Sequence, residues 1–235
     1  MGHQVKALAV LTVRNEASFL LEWLAHHRAV GFTDFLVLSN DCDDGTDTML
    51  ERLAALGLLT HIRNDGPFDK RGIQFTALNL ASKHPLAREA DWIMALDIDE
   101  FVNIHVGDHT LQALLKTLPE ATAITLTWRL FGNADQVRYS DTPVTRQFTR
   151  AAPAVMNWPW RAAMFKTLYK NDGTYGKIGV HRPRQPDEHA QRAGEAPPPS
   201  PARLGRRPWR VETASRWRRP RASRGERGLG PEWMA

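Results

Sequence analysis

Residues 91–103 read DWIMALDIDEFVN, and this stretch decides how the rest of the chain is organised. Trp92 to Leu96 is an unbroken apolar run, too short for a buried helix and suited to a central parallel strand covered on both faces. The run stops abruptly at Asp97, Ile98, Asp99 and Glu100. In open α/β sheets ligands bind beyond the carboxyl ends of the strands, so three carboxylates fall where a functional site is expected. Strand alternation would put Asp97 and Asp99 on one side and Ile98 on the other. Like charges that close are costly unless a cation or strong donors stand between them, and hard oxygen ligands suit Mg²⁺ or Mn²⁺. A divalent ion bridging carboxylate and phosphate resolves the repulsion. A solvated acidic loop after a buried strand is the rival reading.

Upstream, strand and helix patterns alternate. Val5 to Val13 is β-rich, and Leu20, Leu21, Trp23, Leu24 and Val30 share a helix face that Gly31 can end. Phe35 to Leu38 is a second strand, followed by the acidic turn SNDCDDGTD at 39–47. Thr46 or Asp47 can cap a helix carrying Met49, Leu50, Leu53 and Leu56, with Gly57 as its stop. Leu58 to Ile62 is a third strand, residues 70–82 a helix, and Trp92 to Leu96 the fourth strand. Four such alternations predict right-handed βαβ units and an α/β fold with a mostly parallel central sheet flanked by helices. Downstream, Leu111, Leu114, Leu115 and Leu118 fit a helix ended near Pro119, and Ala123 to Phe131 fits a strand. From there to His181 the pattern predicts loops, short strands and a helix over one mouth of the site.

The chain of 235 residues carries a formal charge of +5 and a pI near 9.6. That balance invites a nucleic-acid reading, which the distribution removes. Residues 184–235 hold 12 Arg and 6 acidic residues, a balance of +6, which leaves −1 for residues 1–183. A basic tail on a near-neutral body gives no basis for nucleic-acid binding. The tail has no Lys, Ile, Phe or Tyr and includes PPPSP at 197–201, so disorder without strands or helices is expected. Such an abrupt change of composition also fits a frame-shifted reading of GC-rich coding sequence, which the intact mass of the native protein would decide. Cys42 is the single cysteine, so no internal disulfide forms, and a reducing, cytoplasmic setting is favoured. No apolar run approaches the roughly 20 residues needed to span a bilayer, while peripheral membrane contact stays open.

Gly-rich dinucleotide, P-loop and GxSxG signatures are absent. In their place stand VRNE at 13–16, SNDCDDGTD at 39–47, KRG at 70–72, DIDE at 97–100, WRLFGNA at 128–134 and GVHRP at 179–183. In this order and spacing the motifs resemble a family 2-type glycosyltransferase of the GT-A fold, within the subgroup called glycosyl transferase family 2, group 4. The resemblance covers about residues 5–183. It implies a domain over 1–183, with 1–103 as the nucleotide-binding half and 104–183 as the acceptor-side half, before the tail at 184–235.

The resemblance also implies roles. Asn15 and Glu16 would contact the nucleotide base, Asp44 the base or ribose, and Asp97 and Asp99 a divalent metal, Mn²⁺ or Mg²⁺, against the diphosphate. His181 would complete the metal's ligands. Lys70 and Arg71 could neutralise phosphate, with a wet helix start as the rival use. The donor would be a nucleoside diphosphate sugar, UDP-linked in the first instance, and the acceptor a glycan or lipid-linked hydroxyl. Inversion requires a general base opposite the diphosphate, for which Asp135, Asp141 and Asp187 are candidates. Trp128, Trp158 and Trp160 could stack on a sugar ring, with buried packing favoured for Trp128.

Every role has a competitor. Asn15 and Glu16 could simply start a helix, Asp44 could only form a turn, and Asp41 and Asp43 read as solvated turn residues. His26 and His27, adjacent on a helix, cannot share one metal. FLVLS followed by NDCDDGT also resembles a haloacid dehalogenase-type phosphohydrolase, although Asp44 interrupts the DxDGT spacing. A noncatalytic nucleotide-binding remnant and a nucleotidyltransferase complete the alternatives.

Overall fold

The computed structural model describes residues 4–68, 70, 72–138, 140–153, 164–184 and 211–215. Strand β1 (Ala7–Val13) leads to α1 (Ala17–Val30), β2 (Asp34–Ser39), α2 (Thr46–Ala55) and β3 (Thr60–Arg63). Helix α3 (Ile73–Lys83), a short α4 (Pro85–Glu89) and β4 (Trp92–Leu96) complete the alternating half. After it come β5 (Glu100–Ile104), α5 (Leu111–Thr117), β6 (Ala123–Leu130), α6 (Val144–Gln147), β7 (Phe165–Lys170) and β8 (Val211–Ser215).

All eight strands join one sheet in the order β3-β2-β1-β4-β7-β6-β8-β5. The segment β3-β2-β1-β4 is parallel throughout. Beyond β4 the sheet is mixed, because β7 runs antiparallel to both β4 and β6. Alternate residues of the central strands fill two cores. Ala7, Ala9, Leu11 and Val13 of β1, with Trp92, Met94 and Leu96 of β4, pack beneath α1, α2 and α5. Leu8 and Val10, with Ile93 and Ala95, pack on the opposite face against Ala77, Leu78 and Ala81 of α3. Burial on both faces explains why β4 reads as a continuous apolar run.

Three sequence expectations change. The strand before the acidic residues ends at Leu96, and Glu100 N–H donates to Asp97 O at 3.1 Å, closing a tight turn straight into β5. Strand alternation therefore does not govern Asp97 to Asp99, and Ile98 instead packs on the α1 side of the core. The helix read over 70–82 begins only at Ile73. The expectation of a tail without strands fails at Val211–Ser215, which pairs with both β5 and β6. Two strand edges supply the hydrogen bonds that composition could not announce. Arg184, the first residue of the expected tail, is also ordered by an antiparallel bridge to Lys177, and the remaining tail residues lie outside the described ones.

Strand β5 ends the sheet, and α1 covers its outer edge. His26 Nε2 lies 2.8 Å from Val102 O, and Val102 N–H donates to His27 Nε2 at 3.3 Å. The adjacent histidines thus satisfy the two backbone groups of one edge residue, a use that blocks further strand pairing there. Among the described residues no helix is long and apolar enough to cross a membrane.

Candidate functional site

Chain order reverses at β1. From it the chain moves outward to β2 and β3, then returns across β1 to β4 on its other side. The crevice at the carboxyl ends of β1 and β4 is the topological switch point, where sheets of this kind bind ligands. Strand β1 delivers Asn15 and Glu16 there, β2 delivers the acidic turn, and β4 delivers Asp97 and Asp99.

On the β1–β2 side the polar groups bind one another. Asn15, held at φ 57°, donates from Nδ2 to Asp43 Oδ1 at 2.5 Å and accepts Asp43 N–H at 2.8 Å. Asp43 is exposed, as expected of a solvated turn residue, and also joins this network. Thr46 N–H and its hydroxyl donate to Asp44 Oδ1 at 3.0 and 2.6 Å, and Ala17 N–H donates to Asp44 Oδ2 at 3.3 Å. Burial opposes the charge on Asp44, but these hydrogen bonds prevail and hold its carboxyl below the usual range. Glu16 N–H donates to Thr46 Oγ1 at 2.9 Å, so one buried threonine joins the starts of α1 and α2. Gly45 precedes α2 at φ 88°, the left-handed conformation that glycine adopts without strain.

The β4 side is built around a residue that sequence reasoning missed. The antiparallel register pairs Trp92 with Lys170 and Ile93 with Tyr169, so the start of β7 runs beside the carboxyl end of β4. The buried Lys166 Nζ lies 3.0 Å from Asp97 Oδ2, 3.3 Å from Glu100 Oε2 and 2.9 Å from Val180 O. Glu100 Oε2 also accepts Asp97 N–H at 2.9 Å, while Glu100 Oε1 is buried with no hydrogen-bond partner. Burial pushes the Glu100 carboxyl well above the usual range, and Lys166 only partly offsets this. From α1, Trp23 Nε1 donates to Asp97 O at 3.1 Å. A lysine between Phe165 and Thr167 in an otherwise strand-like run was the one signal in the sequence that could have drawn attention to it.

The GVHRP segment closes against β7. Thr167 Oγ1 donates to His181 O at 2.9 Å, next to the Lys166 bond to Val180 O. A Cβ on Gly179 would stand 2.1 Å from Arg182 O, so this turn admits only glycine. The His181 ring meets Trp128 edge-on at 5.6 Å, and His181 Nδ1 is buried without a partner. Burial and then Lys166 hold its imidazole below the usual histidine range, against the opposing pull of a Phe165 backbone hydrogen bond and Asp97.

The structure thus brings Asn15, Glu16, Asp44, Asp97 and Asp99 to one end of the sheet, and the bonds of Lys166 to Val180 O and Thr167 to His181 O hold the His181 segment against the strand that carries Lys166. The donor set fits a hard divalent cation in kind, since Asp97 and Asp99 offer carboxylate oxygens and His181 a buried lone pair. It is not a ready-made cage. Among the described residues no three acidic, histidine or cysteine side chains converge as a metal site. Asp135 and Asp141 lie exposed beyond β6, where Asp135 pairs with Arg150. Arg71, Trp158, Trp160 and Asp187 lie outside the described residues.

A parallel half-sheet with its acidic turn at the switch point, extended by a mixed half, is the architecture of GT-A glycosyltransferases that the motifs implied. The sequence profile of glycosyltransferase family 92 matches residues 8–193, and the chain belongs to that family. The family is therefore 92 and not the family 2, group 4 branch expected above, because short acidic motifs at shared positions of one fold do not separate its families.

A glycosyltransferase family 92 protein of Oryza sativa subsp. japonica is 26% identical over 143 residues, which is 58% of this chain and 23% of that protein. One of Ricinus communis is 24% identical over 109 residues, 45% of this chain and 19% of that protein. The chain thus spans roughly a fifth to a quarter of the length of these relatives. Among solved structures, similarity extends to the mannosyltransferase PcManGT from Pyrobaculum calidifontis in complex with GDP-Man and Mn²⁺. That match has 19% identity, covers 54% of this chain and 36% of the other, and has a TM-score of 0.39. S. aureus TarS 1-349 in complex with UDP matches at 14% identity, 58% and 38% coverage and a TM-score of 0.40.

Proposed function

We propose that this chain transfers a sugar from a nucleoside diphosphate sugar, with UDP as the first nucleotide to test, to a hydroxyl of a glycan or lipid-linked acceptor. The observation that carries the reading is the Asp97–Asp99 turn at the switch point of a family 92 chain. In this reading the Asn15, Asp43 and Asp44 network forms a rigid mouth for the nucleoside. Asp97 and Asp99 face the diphosphate and would hold Mn²⁺ or Mg²⁺ against it. Such an ion neutralises charge that builds on the departing diphosphate. Two carboxylates and one imidazole that do not converge make a weak site alone, so metal and nucleotide should bind each other's complex more tightly than the free protein. Transfer with inversion belongs to the same proposal and needs a base on the acceptor side. Asp135 and Asp141 remain candidates, although the exposed ion pair of Asp135 does not favour it.

Thermal unfolding with UDP, with Mn²⁺ and with both tests this directly, comparing wild type with Asp97→Asn/Asp99→Asn. Ligand at about 100 times its dissociation constant adds about 2.7 kcal/mol to the folded state. For a chain of this size that raises the melting temperature by about 5–10 °C. The expected pattern is a rise with both ligands that exceeds the sum of the separate rises and disappears in the double variant. No shift of the wild type by UDP or GDP at any Mn²⁺ concentration would sink the donor reading.

A further inference from the structure

We propose that Lys166 is a positioning residue of the donor site, which fixes Asp97 from behind and ties the closing GVHRP segment to the acidic turn. The proposal rests on the donor-site reading above. Lys166 lies mid-sheet with its side chain only 1% exposed, a placement that costs several kcal/mol unless the ammonium is fully paired. Nζ donates to Asp97 Oδ2 after β4 and to Val180 O in the closing segment, and it lies within ion-pair distance of Glu100 Oε2 at the start of β5, so three separate segments meet on it.

Stability alone is a poor explanation, since a well-packed apolar residue commonly serves a core as well as a buried ion pair does. What the ammonium provides is orientation. The Asp97 side chain is 36% exposed, so one oxygen is pinned by Lys166 while the carboxylate still opens toward the crevice. Trp23 holds the Asp97 carbonyl and Glu100 holds its N–H, so backbone and side chain are both fixed before any ligand arrives. Thr167, the next residue on β7, grips His181 O, so two neighbouring side chains clamp two consecutive carbonyls of the segment that presents His181. Groups that orient the atoms touching a metal or phosphate typically change affinity about 10- to 100-fold when removed.

The single variant Lys166→Met would leave Glu100 buried without its cation and can fail to fold for that reason alone. The decisive protein is Lys166→Met/Glu100→Gln, in which the glutamine carbonyl can still accept Asp97 N–H and no uncompensated charge is buried. Its melting temperature is measured beside the wild type. UDP affinity is measured by calorimetry at saturating Mn²⁺, with free Mn²⁺ followed by its electron paramagnetic resonance signal. The expected result is a melting temperature within a few degrees of wild type and a UDP dissociation constant raised about tenfold or more. Wild-type UDP and Mn²⁺ affinity in the double variant would show Lys166 to be a structural ion pair and overturn the proposal alone. Absence of Mn²⁺-dependent UDP and GDP binding by the wild type would overturn the donor reading and this proposal together.

Discussion

Acidification should lower the stability of the whole fold through a single residue packed between α1 and β5. His27 is fully buried; its Nδ1 donates to Trp23 O at 2.8 Å and its Nε2 accepts Val102 N–H at 3.3 Å. One nitrogen must carry hydrogen and the other must not, so only the neutral ring fits. Burial, reinforced by His26 and opposed by the Trp23 hydrogen bond, lowers its pKa from 6.5 to about 3. The folded state thus resists a proton that the unfolded chain accepts, and stability falls as pH drops below 6.5. Linkage between those two values gives a loss of about 2 kcal/mol between pH 7 and pH 5, growing toward about 4–5 kcal/mol near pH 3. Urea unfolding followed by circular dichroism at pH 7 and pH 5 measures it, with His27→Gln as the comparison. The variant starts less stable at pH 7 but should lose about 2 kcal/mol less than wild type on going to pH 5. Other titrating groups, including the depressed His61 and the raised Glu100, are common to both proteins and cancel in that difference. Equal losses in the two proteins, within about 0.5 kcal/mol, would refute the reasoning.

Three further outcomes are expected. Thr46→Val leaves Glu16 N–H and Asp44 without their shared hydroxyl, which should cost about 1–3 kcal/mol and show as a lower melting temperature. Asp99→Asn, at a half-buried turn position, should leave the melting temperature within about 2 °C while raising the UDP dissociation constant in Mn²⁺ about tenfold or more. Gly179→Ala forces the 179–182 turn to move and should weaken UDP binding with Mn²⁺ about tenfold, while circular dichroism stays that of the wild type.

What could be read from the chain depended on how local its cause was. The apolar run of β4 and the alternation before it announce a buried parallel strand because both faces of that strand are covered by nearby helices. The acidic turn was legible because a strand end in such a sheet has a known address. β5 was not, since it follows β4 after a turn of three residues and its apolar pattern merges with the acidic run. β8 was still less so, because its place between β6 and β5 comes from the edges of strands about 80 and more than 100 residues earlier in the chain. Lys166 belongs to the same class. It meets Asp97 across 69 residues of sequence, through an antiparallel register that no local pattern encodes.

The two sides of the crevice also differ in how complete they are. On the β1–β2 side, Asn15, Asp43, Asp44 and Thr46 satisfy one another, so that mouth is formed before any ligand enters. On the β4–β7 side, Glu100 Oε1, His181 Nδ1 and Trp128 Nε1 are buried without hydrogen-bond partners, against Asp47 Oδ1 alone among the described residues in the first turn of α2. Glu100 meets Lys166, Lys166 holds the carbonyl next to His181, and His181 lies against Trp128. Each unpaired buried polar atom costs about 1–3 kcal/mol, and folds tolerate such costs chiefly where function requires them. Their concentration beside Asp97 therefore argues that the incomplete half is the half that a ligand completes. The donor's diphosphate and its cation should order this side of the site more than the nucleoside orders the other, so hydrogen exchange on adding UDP and Mn²⁺ should slow most at 97–104 and 178–182. Protection confined to residues 13–17 and 43–46 would place the ligand's main contacts on the wrong side of β1 for this account.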